Sequence, residues 1–186
     1  TQSDHYVIGL QHYLNPAASI SLEGFYKIYS DYPVSVLDQV SLANKGADFE
    51  VLGNEDVETV GKGRSYGLEF QYQQKLLNNF YSIFSYTYFF SEFTGFDTTT
   101  YIPSVWDSRH LVSFVGGYKL KKNWEISSRY RFAGQTPYVP TNLEATLVSY
   151  PEIILDYTRL GEEKLETFSQ LDIRVDKKWN YNQFMA

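Results

Sequence analysis

The sequence has 186 residues, enough for one domain or part of a larger one, and its hydrophobic share of 43% and charged share of 20% are ordinary. A net charge of −6 with a pI near 5.1 leaves no basic stripe for nucleic acid. The absence of cysteine excludes disulfides and thiolate metal sites, and no apolar run is long enough for a transmembrane helix. The unusual total is the aromatic share of 18%, with 17 Tyr and 13 Phe. These residues favour strands, and Tyr suits boundaries between apolar matter and water. A mean hydropathy of −0.36 does not count against a membrane barrel, because half of each strand would face a polar lumen. No basic-then-apolar start marks a signal peptide; such a leader is removed on export, or the chain begins inside a longer protein.

In chain order, Tyr6, Ile8 and Leu10 alternate with Val7, Gly9 and Gln11 from His5 to Leu14, and Asn15-Pro16 breaks the run. From Ala18 to Tyr29, Ile20, Leu22, Tyr26 and Ile28 oppose Ser21, Glu23 and Lys27. A long irregular section covers about 30–61, in which Val34 to Leu37 and Phe49 to Leu52 are candidate strand extensions. Gly63 to Leu76 is the third run, with Tyr66, Leu68, Phe70 and Tyr72 opposite Gly67, Glu69, Gln71, Gln73 and Lys75. Leu77-Asn78-Asn79 is read as a turn. Phe80 to Glu92 is aromatic on both faces, so its alternation does not orient it. A polar loop spans about 93–106.

The clearest signal is the hairpin from Asp107 to Gln135. Its second arm places Trp124, Ile126, Ser128, Tyr130 and Phe132 on one face and Glu125, Ser127, Arg129 and Arg131 on the other. A period of two means a strand. Each arm is about a dozen residues long, beyond the usual five or six and fitting a tilted strand across a bilayer. Another long section covers about 136–166. In Phe168 to Trp179, Leu171, Ile173 and Val175 alternate with Gln170, Asp172, Arg174 and Asp176. Asn180-Tyr181-Asn182 is read as a turn, and an eighth run begins at Gln183.

Connections therefore alternate short and long, the pattern of outer-membrane barrels with short periplasmic turns and long external loops. The expected fold is all-β: a transmembrane antiparallel β-barrel segment. By parity the eighth strand ascends, so a barrel with both ends in the periplasm needs a further strand. The chain is thus expected to be about eight consecutive strands of a larger barrel, since open edges in lipid are not tolerated.

GKGRSYGLEFQYQQKL, FYSIFSYTYFFSEF and the hairpin with its flanks, ending in Gly134-Gln135-Thr136-Pro137-Tyr138, follow one another in order, and Leu171 to Trp179 (LDIRVDKKW) closes the series. With Asp107-Ser108-Arg109-His110 opening a strand, this order resembles the C-terminal barrel of TonB-dependent outer-membrane receptors, most of all the Bacteroidetes type. The resemblance implies a 22-stranded barrel filled by a plug, with this chain as roughly strands 14 to 21. It also implies a bacterial outer-membrane location, and uptake of a scarce solute with inner-membrane energy: siderophore, haem, cobalamin, glycan or peptide. The plug and the segment contacting the TonB complex would precede this chain. The implied partners are the outer-membrane bilayer, the rest of the barrel with its plug, the TonB complex, and a surface lipoprotein lid. No cofactor is implied.

The candidate site is the charge that must turn from lipid into the lumen: Glu69, Arg129, Arg131, Asp172, Arg174 and Asp176. There it can pair across strands, contact the plug or touch ligand. Tyr138, Tyr150 and Tyr157 can stack on a ligand or pack their loops. His5 and His12, seven apart, fall on opposite faces and cannot share a metal. His110 is read as a hydrogen-bonding group at the rim. Gly61-Lys62-Gly63-Arg64-Ser65 lacks the spacing of a phosphate loop and reads as a glycine-rich entry into a strand. The acidic positions from Asp48 to Glu58 do not have EF-hand spacing and read as a solvated loop, with calcium as the other use. No catalytic set is recognisable, so no enzyme activity is expected. The alternative to a transporter is a small structural or adhesive barrel with binding loops.

Overall fold

The computed structural model describes residues 1–45, 54–181 and 184–185. The alternating runs become seven long strands: β1 (Gln2–Asn15), β2 (Ala18–Ser35), β3 (Val57–Leu77), β4 (Phe80–Phe93), then, after the short β5 (Ile102–Pro103), β6 (His110–Lys119) and β7 (Trp124–Ala133). After β8 (Pro137–Tyr138), helix α1 (Leu143–Ser149) and β9 (Glu163–Lys164) comes the last long strand, β10 (Phe168–Lys177). The small hairpin of β11 (Asn180–Tyr181) and β12 (Phe184–Met185) follows. The long strands form one antiparallel meander, β1-β2-β3-β4-β6-β7-β10, with β5 paired to the end of β4.

The short turns have the chemistry tight hairpins need. Asn78 and Asn79 take φ of 49° and 68°, the left-handed pair of a type I′ turn. Lys122 and Asn123 do the same at 60° and 61°. At the first turn the Asn15 side-chain oxygen accepts from Ala17 N–H at 2.8 Å.

Directly paired residues share a face, so the register carries one face across the sheet. Ile20, Tyr72, Phe84, Phe114, Tyr130 and Leu171 form one continuous apolar row. The row one step toward the long loops is Leu10, Leu22, Phe70, Tyr86, Val112 and Phe132. Stacked rings, Tyr26 on Tyr66 and Tyr66 on Phe90, bound this face at the long-loop end, and Phe80, Tyr118 and Trp124 bound it at the short-turn end. About ten residues of β4 separate the two girdles, roughly 33 Å of strand, which at a ~40° tilt gives ~25 Å, the height of an outer-membrane apolar band. The opposite face carries the row Gln11, Ser21, Gln71, Ser85, Ser113, Arg131 and Gln170. Buried residues collect at the long-loop end, including Val34, Ala43, Phe93 and Val139, with Ala18 and Ser82 buried near the short turns.

The ladders run further than the alternation does. β2 reaches Ser35 and β3 starts at Val57, so the connection read as 30–61 holds strand at both ends. The pattern hid this because the register shifts between Tyr29, Tyr32 and Val34, around Asp31 at φ 54°. The glycine-rich Gly61 to Ser65 accordingly lies within β3 and is not its entry. The loop read as 93–106 contains β5, and that read as 136–166 contains β8, α1 and β9. The extension read at Phe49 to Leu52 lies outside the described residues. Asn180 and Tyr181, read as part of a turn, are strand residues paired with Met185 and Phe184; Asn182, Gln183 and Ala186 lie outside the described residues. β4 is oriented by its neighbours: Phe84 pairs with Tyr72 and Phe114, so its even-numbered residues join the apolar face.

Candidate functional site

All six predicted charges lie on the polar face, but they do not form one cluster. Arg129 and Asp172 are direct cross-strand partners, joined by Nη2 at 2.8 Å and Nε at 3.0 Å. Arg131 donates to the Gln170 side chain opposite it at 2.5 Å. Arg174 pairs along its own strand with Asp176 at 2.8 Å. Nearby, the Tyr81 hydroxyl donates to Glu125 at 2.7 Å, and the hydroxyl end of its side chain lies against Gly117, where any Cβ would strike it. Arg129 and Asp172 are 50% and 42% exposed, so water screens the pair and it adds little to stability. Its role is to fix charge in place.

Glu69 stands apart from these groups. Its row reads Gly9, Glu23, Glu69, Thr87 and Leu111, so two carboxylates face each other directly on β2 and β3. Among the described residues neither forms an ion pair. Like charges in such a position oppose strand pairing. The alternation of β2 puts Glu23 on its polar side, but its pairing with Glu69 comes from register, which is not visible in one sequence.

The second polar centre lies at the long-loop end. Lys45 donates to Asp38 and Glu55, each at 2.5 Å, and its ammonium lies 5.4 Å from the Tyr157 ring centroid. Glu55 also accepts from Ser35. This clasp borders a cleft of about 710 Å³ between two long loops, which Ile153 and Tyr157 also line. Burial pulls the Lys45 ammonium down, but the accepting carboxylates more than reverse this, and its pKa lies above the usual lysine value. Hydrogen bonds from Lys45 and then Ser35 hold Glu55 below the usual carboxylate value. The depressed acid stabilises the clasp above its unfolded pKa and loses that contribution as pH falls through its folded pKa. The raised lysine contributes below its unfolded pKa and loses that contribution as pH rises through its folded one. The loops are therefore held across neutral pH and released at both extremes. Lys45→Met is expected to cost about 1–3 kcal/mol of local stability by leaving two carboxylates side by side. Faster amide exchange at residues 35–38, with the strands unchanged, would be the readout.

The loop aromatics divide. Tyr138 donates to Glu163, Tyr157 packs near Lys45, and Tyr150 is exposed beside Leu147, Val148 and Ile153, an apolar patch on and after α1. His110 exchanges a 2.8 Å hydrogen bond with the Tyr86 hydroxyl at the upper edge of the apolar face. Beside it Asp107 is buried, and burial pushes its carboxyl up while Arg109, with Nε at 3.0 Å, opposes that shift. The Arg109 guanidinium also lies 3.9 Å from the Phe90 ring centroid. His5 pairs with Lys27 on the polar face and His12 with Ile20 on the apolar face. Of the acidic positions considered for calcium, Asp48 and Glu50 lie outside the described residues, and Glu55 is committed to Lys45 and Ser35.

A family model described as TonB dependent receptor-like, beta-barrel, matches residues 1–184. No curated protein matches the sequence. Among solved structures, the ferripyoverdine receptor of the outer membrane of Pseudomonas aeruginosa, bound to ferripyoverdine, superposes with a TM-score of 0.62 at 18% identity. The match covers 93% of this chain and 21% of that one. The pyoverdine outer membrane receptor FpvA from the same organism, bound to pyoverdine, gives 0.62 at 15% identity over 93% and 23%. The chain thus spans little more than a fifth of the receptors it matches, and the likeness is one of fold.

Proposed function

The chain belongs to the TonB-dependent receptor β-barrel family, and on that premise we propose that it is part of the wall of an outer-membrane transporter. The observation that carries the reading is the division of one uninterrupted meander into a ring-bounded apolar face and a charged face. The apolar face contacts lipid and the charged face lines the lumen. The open edges, β1 and β10, pair with the remaining strands of a barrel of about 22. The short turns lie in the periplasm and the long loops outside the cell. The transported solute is a scarce large molecule (siderophore, haem, cobalamin, glycan or peptide) that meets the protein at the loop cleft and is released by energy from the TonB complex. The exposed patch of Leu147, Val148, Tyr150 and Ile153 suits a surface lipoprotein lid. No catalytic role is assigned to any of these groups.

Within the lumen, Glu23 and Glu69 are the groups that a plug most needs to satisfy. Their paired negative charge calls for a cation from outside this sheet, and Arg129, Arg131, Asp172, Arg174 and Asp176 form the neighbouring polar wall. A charge-assisted contact of this kind contributes about 1.5–3 kcal/mol. A Glu23→Lys/Glu69→Lys receptor is expected to hold its plug poorly, and cells carrying it to admit bulky hydrophilic antibiotics. Unchanged permeability with normal receptor levels would contradict the plug contact. The transport reading is tested by uptake of labelled solutes from each class in cells with and without a working TonB complex. Energy-dependent uptake of one solute, lost when the receptor is deleted, is expected. Surface adhesion with no energy-dependent uptake of any solute would favour the adhesive barrel.

A further inference from the structure

Five lysines crowd the short-turn end of the last three long strands. Lys119 ends β6, Lys121 and Lys122 begin the turn into β7, and Lys177 and Lys178 lie where β10 finishes. The backbone draws the two segments together: Lys178 N–H donates to the Asn123 carbonyl at 3.0 Å, and Lys177 Nζ donates to the Lys122 carbonyl. Among the described residues none of the five forms an ion pair. The two nearest acids, Glu125 and Asp176, lie in register with Lys119 on the polar face, where Tyr81 and Arg174 engage them. This cationic end stands against a chain whose net charge is −6.

Two of the lysines, Lys119 and Lys178, line a depression of about 230 Å³ together with Leu120, Asn123, Trp124 and Glu125, whose carboxylate accepts from Tyr81. The Lys177 ammonium lies 5.1 Å from the Trp124 ring centroid. Below it on the apolar face, Val175, Ile173 and Leu171 run along β10, exposed to 58%, 69% and 61%, with Tyr118 and Ile126 level with Val175 on β6 and β7. A cation cluster capping an apolar column fits an amphiphile with an anionic head. A Trp at the edge of the band marks the level of the headgroups.

We propose that this end of the sheet binds the headgroup phosphate of an anionic glycerophospholipid, with its acyl chains along Val175, Ile173 and Leu171. The proposal rests on the barrel reading, which places the apolar face in the bilayer. A soluble polyanion or a cell-wall fragment would use the lysines but has no need of the column beneath them. Cations beside an anionic surface attract it electrostatically, and the attraction adds over the cluster.

The full-length receptor, purified in mild detergent, is titrated with phosphatidylglycerol and with phosphatidylcholine, and bound lipid is counted by native mass spectrometry. Phosphatidylglycerol is expected to be retained at roughly tenfold lower concentration, and K121Q/K122Q/K177Q/K178Q to abolish that preference. A K121Q/K122Q variant, altered only in an exposed turn, is expected to weaken it. Equal retention of the two lipids, a preference unchanged in both variants, or binding of cell-wall fragments in place of lipid would overturn the proposal. Heat-dependent gel migration separates the two failures: a folded barrel without lipid preference removes the lipid site alone, and no folded barrel removes both readings.

Discussion

Replacing Leu22 with arginine is expected to cost the assembled barrel about 2–4 kcal/mol, the penalty for a cation at the lipid-facing midplane. Leu22 lies between Leu10 and Phe70 in a central row of the apolar face and is 48% exposed. An arginine there faces Leu10 and Phe70, neither of which can accept a hydrogen bond, and both girdles are too far for its head to reach water without distorting the strand. Gln71, beside Phe70 on the opposite face, is the control. Its neighbours are Ser21 and Ser85, and the side chain already present is long and polar. Gln71→Arg is expected to change stability by less than about 1 kcal/mol. Urea titration of the receptor folded into lipid vesicles would measure both. Equal costs would mean that the two faces do not meet different media.

Gly67→Leu is expected to prevent assembly altogether. Gly67 pairs with Phe89 across the β3–β4 ladder, and a Cβ at this position would collide with the Tyr88 carbonyl oxygen and lie 2.7 Å from Phe89 Cβ. Two of the obstructing atoms belong to the backbone of β4, so relief requires opening the ladder. Overpacking by a movable side chain costs about 1–3 kcal/mol, and displacing a central ladder costs more. The folded, heat-shifted band should be absent. Gly9→Ala makes the comparison, because its Cβ would meet only Glu23 atoms at 3.6 to 3.8 Å, an ordinary contact. Normal folding of Gly67→Leu would contradict the register of β3 against β4.

The faces of β3, β7 and β10 were legible because most of their side chains alternate, as in Leu171, Ile173 and Val175 against Asp172, Arg174 and Asp176. β4 was not, because Tyr81, Phe89 and Phe93 place rings on the polar face as well, and only pairing with Tyr72 and Phe114 orients it. The end of β2 was hidden by the bulge at Asp31, where an extra residue reverses the parity. The polar face was identified residue by residue from sequence, yet its grouping was not. Arg129 and Asp172 lie 43 residues apart, and Glu23 and Glu69 meet only through register. The Lys45 clasp left no periodic trace, since loop ion pairs follow from backbone path and not from pattern.

The most direct test of the central claim, that this sheet spans the outer membrane with its short turns inside, is cysteine labelling of the full-length receptor in whole cells. These 186 residues contain no cysteine, and any cysteine elsewhere in the receptor is first replaced by serine. Asp97→Cys, in the long connection between β4 and β5, should react with a membrane-impermeant maleimide in intact cells. Lys121→Cys should react only after the outer membrane is opened, and Leu171→Cys only with a lipid-soluble reagent. Labelling of Lys121→Cys from outside, or of Leu171→Cys by the water-soluble reagent, would contradict the account.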